Sequence, residues 1–311
     1  MDSGSTSEVA LEFLPYFRAY KDGRVERFFG TDVVPPSIDS HSGTATKDVQ
    51  IVQETGLAAR IFIPGTIDPG QKLPVLVYYH GGSFYMGSPF CATYHNHLAS
   101  LVVEANIVAV SVSYRLAPEH PVPIGYEDSW VALQWVASHF AGEGSEAWLR
   151  DHVDFQRVFL AGDSMGGNIV HNMAARAGVE GLPGVRLLGI CLVHPYFARK
   201  ETVGTCVADR SWLFTCPTTS GFDDPRINPA EDSRLSRLGC SRVLIFITEK
   251  DETRDRGLFY YETLRTSGWG GVVEIVEAEG EEHVFHLFRP NCEKALALLK
   301  KLSSFINQDN A

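Results

Sequence analysis

Positive charge is scarce in this sequence: 27 Lys and Arg stand against 38 Asp and Glu, for a formal net charge of −11. That balance excludes the basic footprint of a nucleic-acid binder. No basic run is available to grip an anionic membrane surface. No apolar stretch approaches the length needed to span a bilayer. Cysteine is sparse and unpatterned. The six positions, Cys91, Cys191, Cys206, Cys216, Cys240 and Cys292, form no CxxC pair and their spacing is wide. A chain of this length needs no disulfides to hold a core. Cys191 sits inside an apolar run and reads as a buried free thiol. Met1 to Glu8 has neither the basic nor the apolar region of a secretory leader. These absences lead us to expect a cytoplasmic protein without nucleic-acid or membrane partners. There is also no repeat, low-complexity block or linker, so residues 1–311 are expected to form one domain.

What is present is a series of short apolar runs. Strands are expected at Lys47 to Val52, Ala58 to Ile63, Leu73 to Tyr79, Ile107 to Tyr114, Val158 to Ala161, Leu187 to Val193, Val243 to Thr248 and Val272 to Glu277. Helical periodicity marks Glu127 to Phe140, Asn168 to Arg176 and Glu293 to Ile306, and an early helix is expected from Val9 to Tyr20 despite Pro15. Nearly continuous apolar strands separated by helices predict an α/β fold with a mostly parallel central sheet flanked by helices. Segments near 1–40 and 198–238 do not alternate in this way and are expected to form a helical cap. In such sheets ligands bind at the carboxyl ends of the strands.

The chemistry-bearing motifs fall at those ends. Gly162-Asp163-Ser164-Met165-Gly166 follows a strand and precedes a helix, the context of a nucleophile elbow. The glycines leave room for a sharp turn that lifts the Ser164 hydroxyl above the sheet. His80-Gly81-Gly82-Ser83-Phe84 ends another strand. Its glycine N–H groups, with that of Met165, are candidates to hold an oxyanion. The His80 ring is expected to bond to backbone and shape this loop.

An activated serine needs a base, and the base needs a carboxylate to orient it. In an elbow fold both follow the serine in the chain. His283 lies beyond the last strand, with His286 as the alternative. His171 sits on the helix after the elbow and reads as structural, and His194 reads as a pocket residue. Asp251 follows the strand ending at Thr248 and is the first candidate for the acid, ahead of Glu249 and Asp255. Asp163 reads as a structural acceptor. Phe84, Tyr85, Trp212 and Phe214, with Ser83 and His194, are the candidate pocket residues.

With these residues in view, the chain resembles the plant carboxylesterases, which are similar to hormone-sensitive lipase. The resemblance rests on His80-Gly81-Gly82, Tyr114-Arg115-Leu116-Ala117-Pro118-Glu119-His120, Tyr126-Glu127-Asp128, Gly162 to Asn168, Asp251 with Arg254 to Gly257, and His283 with Phe285. It implies an α/β-hydrolase core with an N-terminal helical cap. It also implies a catalytic Ser164, Asp251 and His283, and an oxyanion hole of Gly81, Gly82 and Met165. Two positions depart from the family pattern. Ser83 stands where a third glycine is usual, and Met165 stands where alanine is usual. The Met165 side chain is expected to restrict the acyl pocket.

The resemblance implies a serine carboxylesterase acting on a small-molecule ester, with no metal or organic cofactor, as a monomer or homodimer. The alternatives are a lyase or cyclase similar to the 2-hydroxyisoflavanone dehydratases, and a receptor-like binding protein. Retention of Ser164 favours hydrolysis over dehydration, and retention of His283 argues against a receptor.

Overall fold

The computed structural model describes residues 8–37, 43–199 and 207–308. Its centre is an eight-stranded sheet. The strands, in chain order, are β4 (Thr44–Val52), β5 (Leu57–Pro64), β6 (Leu73–Tyr79), β7 (Val108–Ser113), β8 (Val153–Asp163), β9 (Leu187–Val193), β10 (Arg242–Thr248) and β11 (Val272–Ala278). They lie in the order β11-β10-β9-β8-β6-β7-β5-β4. From β7 to β11 all pairs are parallel, while β4 and β5 join one edge antiparallel.

Every residue of β6 and β9 is buried. This explains their unbroken apolar sequences, since a central strand covered on both faces has no polar side. Alternation instead decides which core each residue joins. Val75, Val77 and Tyr79 pack on one face with Trp130, Leu133, Ile169 and Tyr260. Leu76 and Tyr78 pack on the other with Leu98, Leu101, Leu298 and Leu302. The first face is therefore covered by α2 (Ile124–Ala137), α4 (Met165–Glu180) and α6 (Arg254–Thr266). The second is covered by α1 (Ala92–Ala105) and α8 (Glu293–Asn307). Each buried Leu or Val contributes about 1.5–3 kcal/mol relative to exposure.

The helix expected over Val9 to Tyr20 is not formed. Those residues make β1 (Val9–Phe13) and β2 (Phe17–Tyr20), which with β3 (Val25–Arg27) form a separate antiparallel sheet. Pro15 breaks the segment, as it has no N–H to give a helix, and Tyr16 N–H closes the turn onto Phe13 O at 2.8 Å. Phe17 and Ala19 are buried while Arg18 and Tyr20 are only half-buried, a period of two. The described N-terminal part of the cap is thus sheet, and its helical part is α5 (Val207–Thr215). Arg256 on α6 anchors α5 through a buried two-pronged pair with Asp209, at 2.7 and 2.9 Å.

Among the described residues no helix is long and apolar enough to cross a membrane. Cys91, Cys191, Cys216, Cys240 and Cys292 are free thiols, with Cys191 fully buried. Cys206 lies outside the described residues.

Candidate active site

Five strand ends converge on the site. Ser164 sits between β8 and α4 with φ 53° and ψ −120°. This left-handed backbone is held by its surroundings: Ser164 N–H donates to Val193 O at 2.8 Å, and Ser164 O accepts from Tyr196 N–H at 3.1 Å. The glycines of the elbow are obligatory. A Cβ on Gly166 would lie 2.0 Å from Tyr79 O, and one on Gly162 would lie 2.5 Å from Gly166.

Asp251 follows β10, and His283 follows β11. Asp251 Oδ2 lies 2.6 Å from His283 Nδ1. Asp251 Oδ1 accepts from both the N–H and the hydroxyl of Thr253, at 2.8 and 2.9 Å. Burial opposes ionisation of Asp251, but the facing His283 charge and these hydrogen bonds outweigh it and hold the carboxyl at about 2. Burial likewise opposes the charged form of His283, and the Asp251 carboxylate overcomes it and raises the imidazole above its ordinary value. With Nδ1 donating to Asp251, Nε2 carries the lone pair. His283 and Ser164 line the same cavity, and no direct hydrogen bond joins their side chains. Such contacts are often long in free enzymes and tighten around the substrate.

The other candidates for acid and base are bonded elsewhere or, for His286, buried away from the cavity. Glu249 accepts from Gly280 N–H at 2.6 Å, and Asp255 pairs on the surface with Arg254. His171 bonds Tyr260 and Asp232. His286 is buried against His97 and His194. His80 Nδ1 lies 2.7 Å from Gly81 O, and its ring stacks on Tyr114 at 4.4 Å. Burial pulls the His80 pKa down to about 4, only partly countered by the bond to Gly81.

The candidate oxyanion loop after β6 differs from expectation in one N–H group. Gly81 N–H is directed at Asp163 Oδ1 and the Tyr94 hydroxyl, at 3.1 and 3.0 Å. Gly82 and Ser83 follow with φ of 102° and 54°. Their N–H groups take no acceptor among the described residues, and both residues line the cavity. Met165 opens α4, where the first N–H groups have no partner within the helix. The available trio is therefore Gly82, Ser83 and Met165, with Gly81 shaping the loop. Position 82 must be glycine, because a Cβ there would meet Met86 O at 2.1 Å.

The cavity over Ser164 measures about 460 Å³. Phe13, Tyr16, Phe29, Leu287 and Phe288 form an apolar wall, and Lys250, Glu252 and Glu282 stand at the exposed edge. Of the six expected pocket residues only Ser83 lines this space. Phe84 packs on Tyr126 and Trp212 in the core, and Tyr85 packs between Phe17 and Phe214. His194 is buried behind His283. The Met165 side chain also belongs to the core, so it does not narrow the cavity. Of the wall residues only Phe13 lies on β1, and a period-two reading of Leu11 and Phe13 would have found it alone. Tyr16 lies in a turn and Phe29 in a bend, and Leu287 and Phe288 lie in the short helical turn after His283, where no periodicity marks them.

Donor atoms of His194, Asp251 and His283 lie within 4.8 Å of one another, the one grouping of metal-ligand type among the described residues. Asp251 and His283 already bond each other, and His194 Nδ1 accepts from Val284 N–H at 2.9 Å. The other ring nitrogen, His194 Nε2, is buried with no hydrogen-bond partner among the described residues.

Residues 76–287 match the family model described as the alpha/beta hydrolase fold. The chain is 44% identical to "Probable carboxylesterase 2" of Arabidopsis thaliana, over 98% of each chain. It is 41% identical to a 2-hydroxyisoflavanone dehydratase of Glycyrrhiza echinata, over 97% of each chain. Among solved structures, a Pyrobaculum calidifontis esterase is 28% identical and covers 84% of each chain with a TM-score of 0.66. An esterase of Mycobacterium marinum is 26% identical, with a TM-score of 0.71 over 86% of this chain and 83% of that one. The chain belongs to the α/β-hydrolase family, within the group of plant carboxylesterases and their dehydratase relatives.

Proposed function

We propose that this protein is a serine carboxylesterase that hydrolyses small-molecule carboxylic esters through an acyl-enzyme on Ser164. The observation that carries the reading is the 2.6 Å bond from Asp251 to His283 beside an elbow serine. His283 Nε2 takes the Ser164 proton as Oγ attacks the ester carbonyl. Asp251 keeps the imidazole in the required tautomer and stabilises its cation. The N–H groups of Gly82, Ser83 and Met165 hold the oxyanion, each donor typically contributing about 2.7–4 kcal/mol to the barrier reduction. The alcohol departs with the proton from His283. Water, deprotonated by the same imidazole, then attacks the acyl-enzyme, releasing the acid and restoring Ser164. The test is hydrolysis of p-nitrophenyl acetate and butyrate by the wild type and Ser164→Ala. Turnover by the wild type that is lost in the variant supports the reading, and equal turnover by both contradicts it.

A second reading is supported by the relatives named as 2-hydroxyisoflavanone dehydratases. Dehydration needs a base and an oxyanion-type site but no acyl-enzyme. Turnover of a 2-hydroxyisoflavanone that survives Ser164→Ala, with no ester hydrolysis by the wild type, would favour it.

A further inference from the structure

We infer that His194 is a positioning residue that sets the base relative to the nucleophile, because the turn after β9 holds both. The inference rests on the serine-hydrolase reading. On one side, Val193 O and Tyr196 N–H bracket the Ser164 backbone, at 2.8 and 3.1 Å. Between them, His194 extends from a left-handed backbone, φ 48°, and its Nδ1 accepts the N–H of Val284 at 2.9 Å. Val284 immediately follows His283 and is itself left-handed, with φ 47°. The loop is tied once more, two residues before the base, where Lys250 N–H donates to Glu281 O at 3.0 Å. His283 is thus pinned by its neighbours on β9 and β10, and its own side chain by Asp251.

The His194 imidazole is rigidly placed. Its backbone N–H donates to Phe246 O at 2.9 Å, its ring stacks on Phe285 at 5.9 Å, and its side chain is buried. Burial, reinforced by the nearby His283 charge, pulls its pKa down to about 3. The ring therefore stays neutral and Nδ1 remains an acceptor. One four-residue turn, Val193 to Tyr196, then fixes the separation of Ser164 from His283.

Asn and Gln substitutions dissect the two ring nitrogens, since an Asn side-chain oxygen reaches the Nδ1 position and a Gln oxygen the Nε2 position. With p-nitrophenyl butyrate, His194→Gln should lower kcat about a hundredfold while KM stays within about twofold, the cost of displacing a catalytic group. His194→Asn should recover at least about tenfold of that loss. Thermal melting confirms that both variants fold. The Val284 amide is followed by hydrogen exchange in the wild type and both variants: it should be protected in the wild type and in His194→Asn, and exposed in His194→Gln. Equal kinetics in the two variants, or an unprotected Val284 amide in the wild type, would overturn the inference. A wild type with no esterase turnover would sink the esterase reading alone, and the exchange data would still decide the role of His194.

Discussion

Asp163 Oδ1 accepts the N–H of Gly81 at 3.1 Å, linking the residue before Ser164 to the start of the loop after β6. Tyr78 and Tyr94 hydroxyls complete the carboxylate's partners, at 2.8 and 3.0 Å. The elbow and the loop are thereby built as one piece. Gly81 is consumed in that joint, and the donors that face the cavity begin at Gly82.

Gly82→Ala should be far more damaging than a methyl group suggests. Its Cβ would sit 2.1 Å from Met86 O, and the residue would have to keep a φ of 102°. The loop must shift, and loss of one oxyanion donor predicts a fall in kcat of about 10²–10³-fold. Steady-state kinetics on a folded variant check this.

The acid limb of kcat/KM reports the base in the free enzyme. Because the Asp251 charge outweighs burial and raises the His283 pKa, the limb should lie above the ordinary imidazole value of 6.5. Activity is present above that pKa and is lost as pH falls through it. In Asp251→Asn the limb should move down and the maximal rate should drop, by up to about 10⁴-fold on the precedent of triad aspartates. A pH–rate profile of both proteins measures the shift.

The cap is predicted to hang on the Arg256–Asp209 pair. Asp209 also accepts from the Tyr196 hydroxyl at 2.9 Å, and Arg256 also donates to Phe197 O at 3.1 Å. Removing Asp209 takes from the buried Arg256 guanidinium the carboxylate that meets it at two points. Asp209→Ala should therefore cost about 3–5 kcal/mol of stability. Thermal and denaturant unfolding would show it.

Much of this architecture is legible in the sequence, for physical reasons. β6 and β9 are covered on both faces, so their apolar runs match the observed strand limits residue for residue. The elbow and its glycines are legible because a Cβ at Gly162 or Gly166 would collide with backbone. The N-terminal strands were not, because Val9 to Tyr20 contains enough apolar residues to satisfy a helical period, and Pro15 had to be weighed against them. Nor does a glycine pair reveal which N–H is free; that depends on Asp163 and Tyr94, distant in the chain. His194 ends a strand beside the site, so it resembles a pocket residue. Its neutral ring is in fact turned to the backbone of the base loop.

The apolar wall predicts substrate preference. Tyr16, Phe29 and Phe288 form a chain of ring contacts along the cavity, with centroids 5.9 Å apart at each step. Aromatic pairs of this kind add about 0.5–1.5 kcal/mol beyond area. Phe29→Ala should thus raise KM for an aryl ester about 2–10-fold, and raise KM for ethyl acetate less. Side-by-side Michaelis kinetics on the two esters decide it.

In the proposed mechanism Ser164 carries the acyl group. The most direct measurement is acid quenching of the enzyme within milliseconds of mixing with p-nitrophenyl butyrate, followed by peptide mass spectrometry. One butyryl group is expected on the peptide containing Ser164, formed with a burst of p-nitrophenol and absent from Ser164→Ala. Ester turnover that persists undiminished in Ser164→Ala, with the butyryl group on another residue or on none, would contradict it.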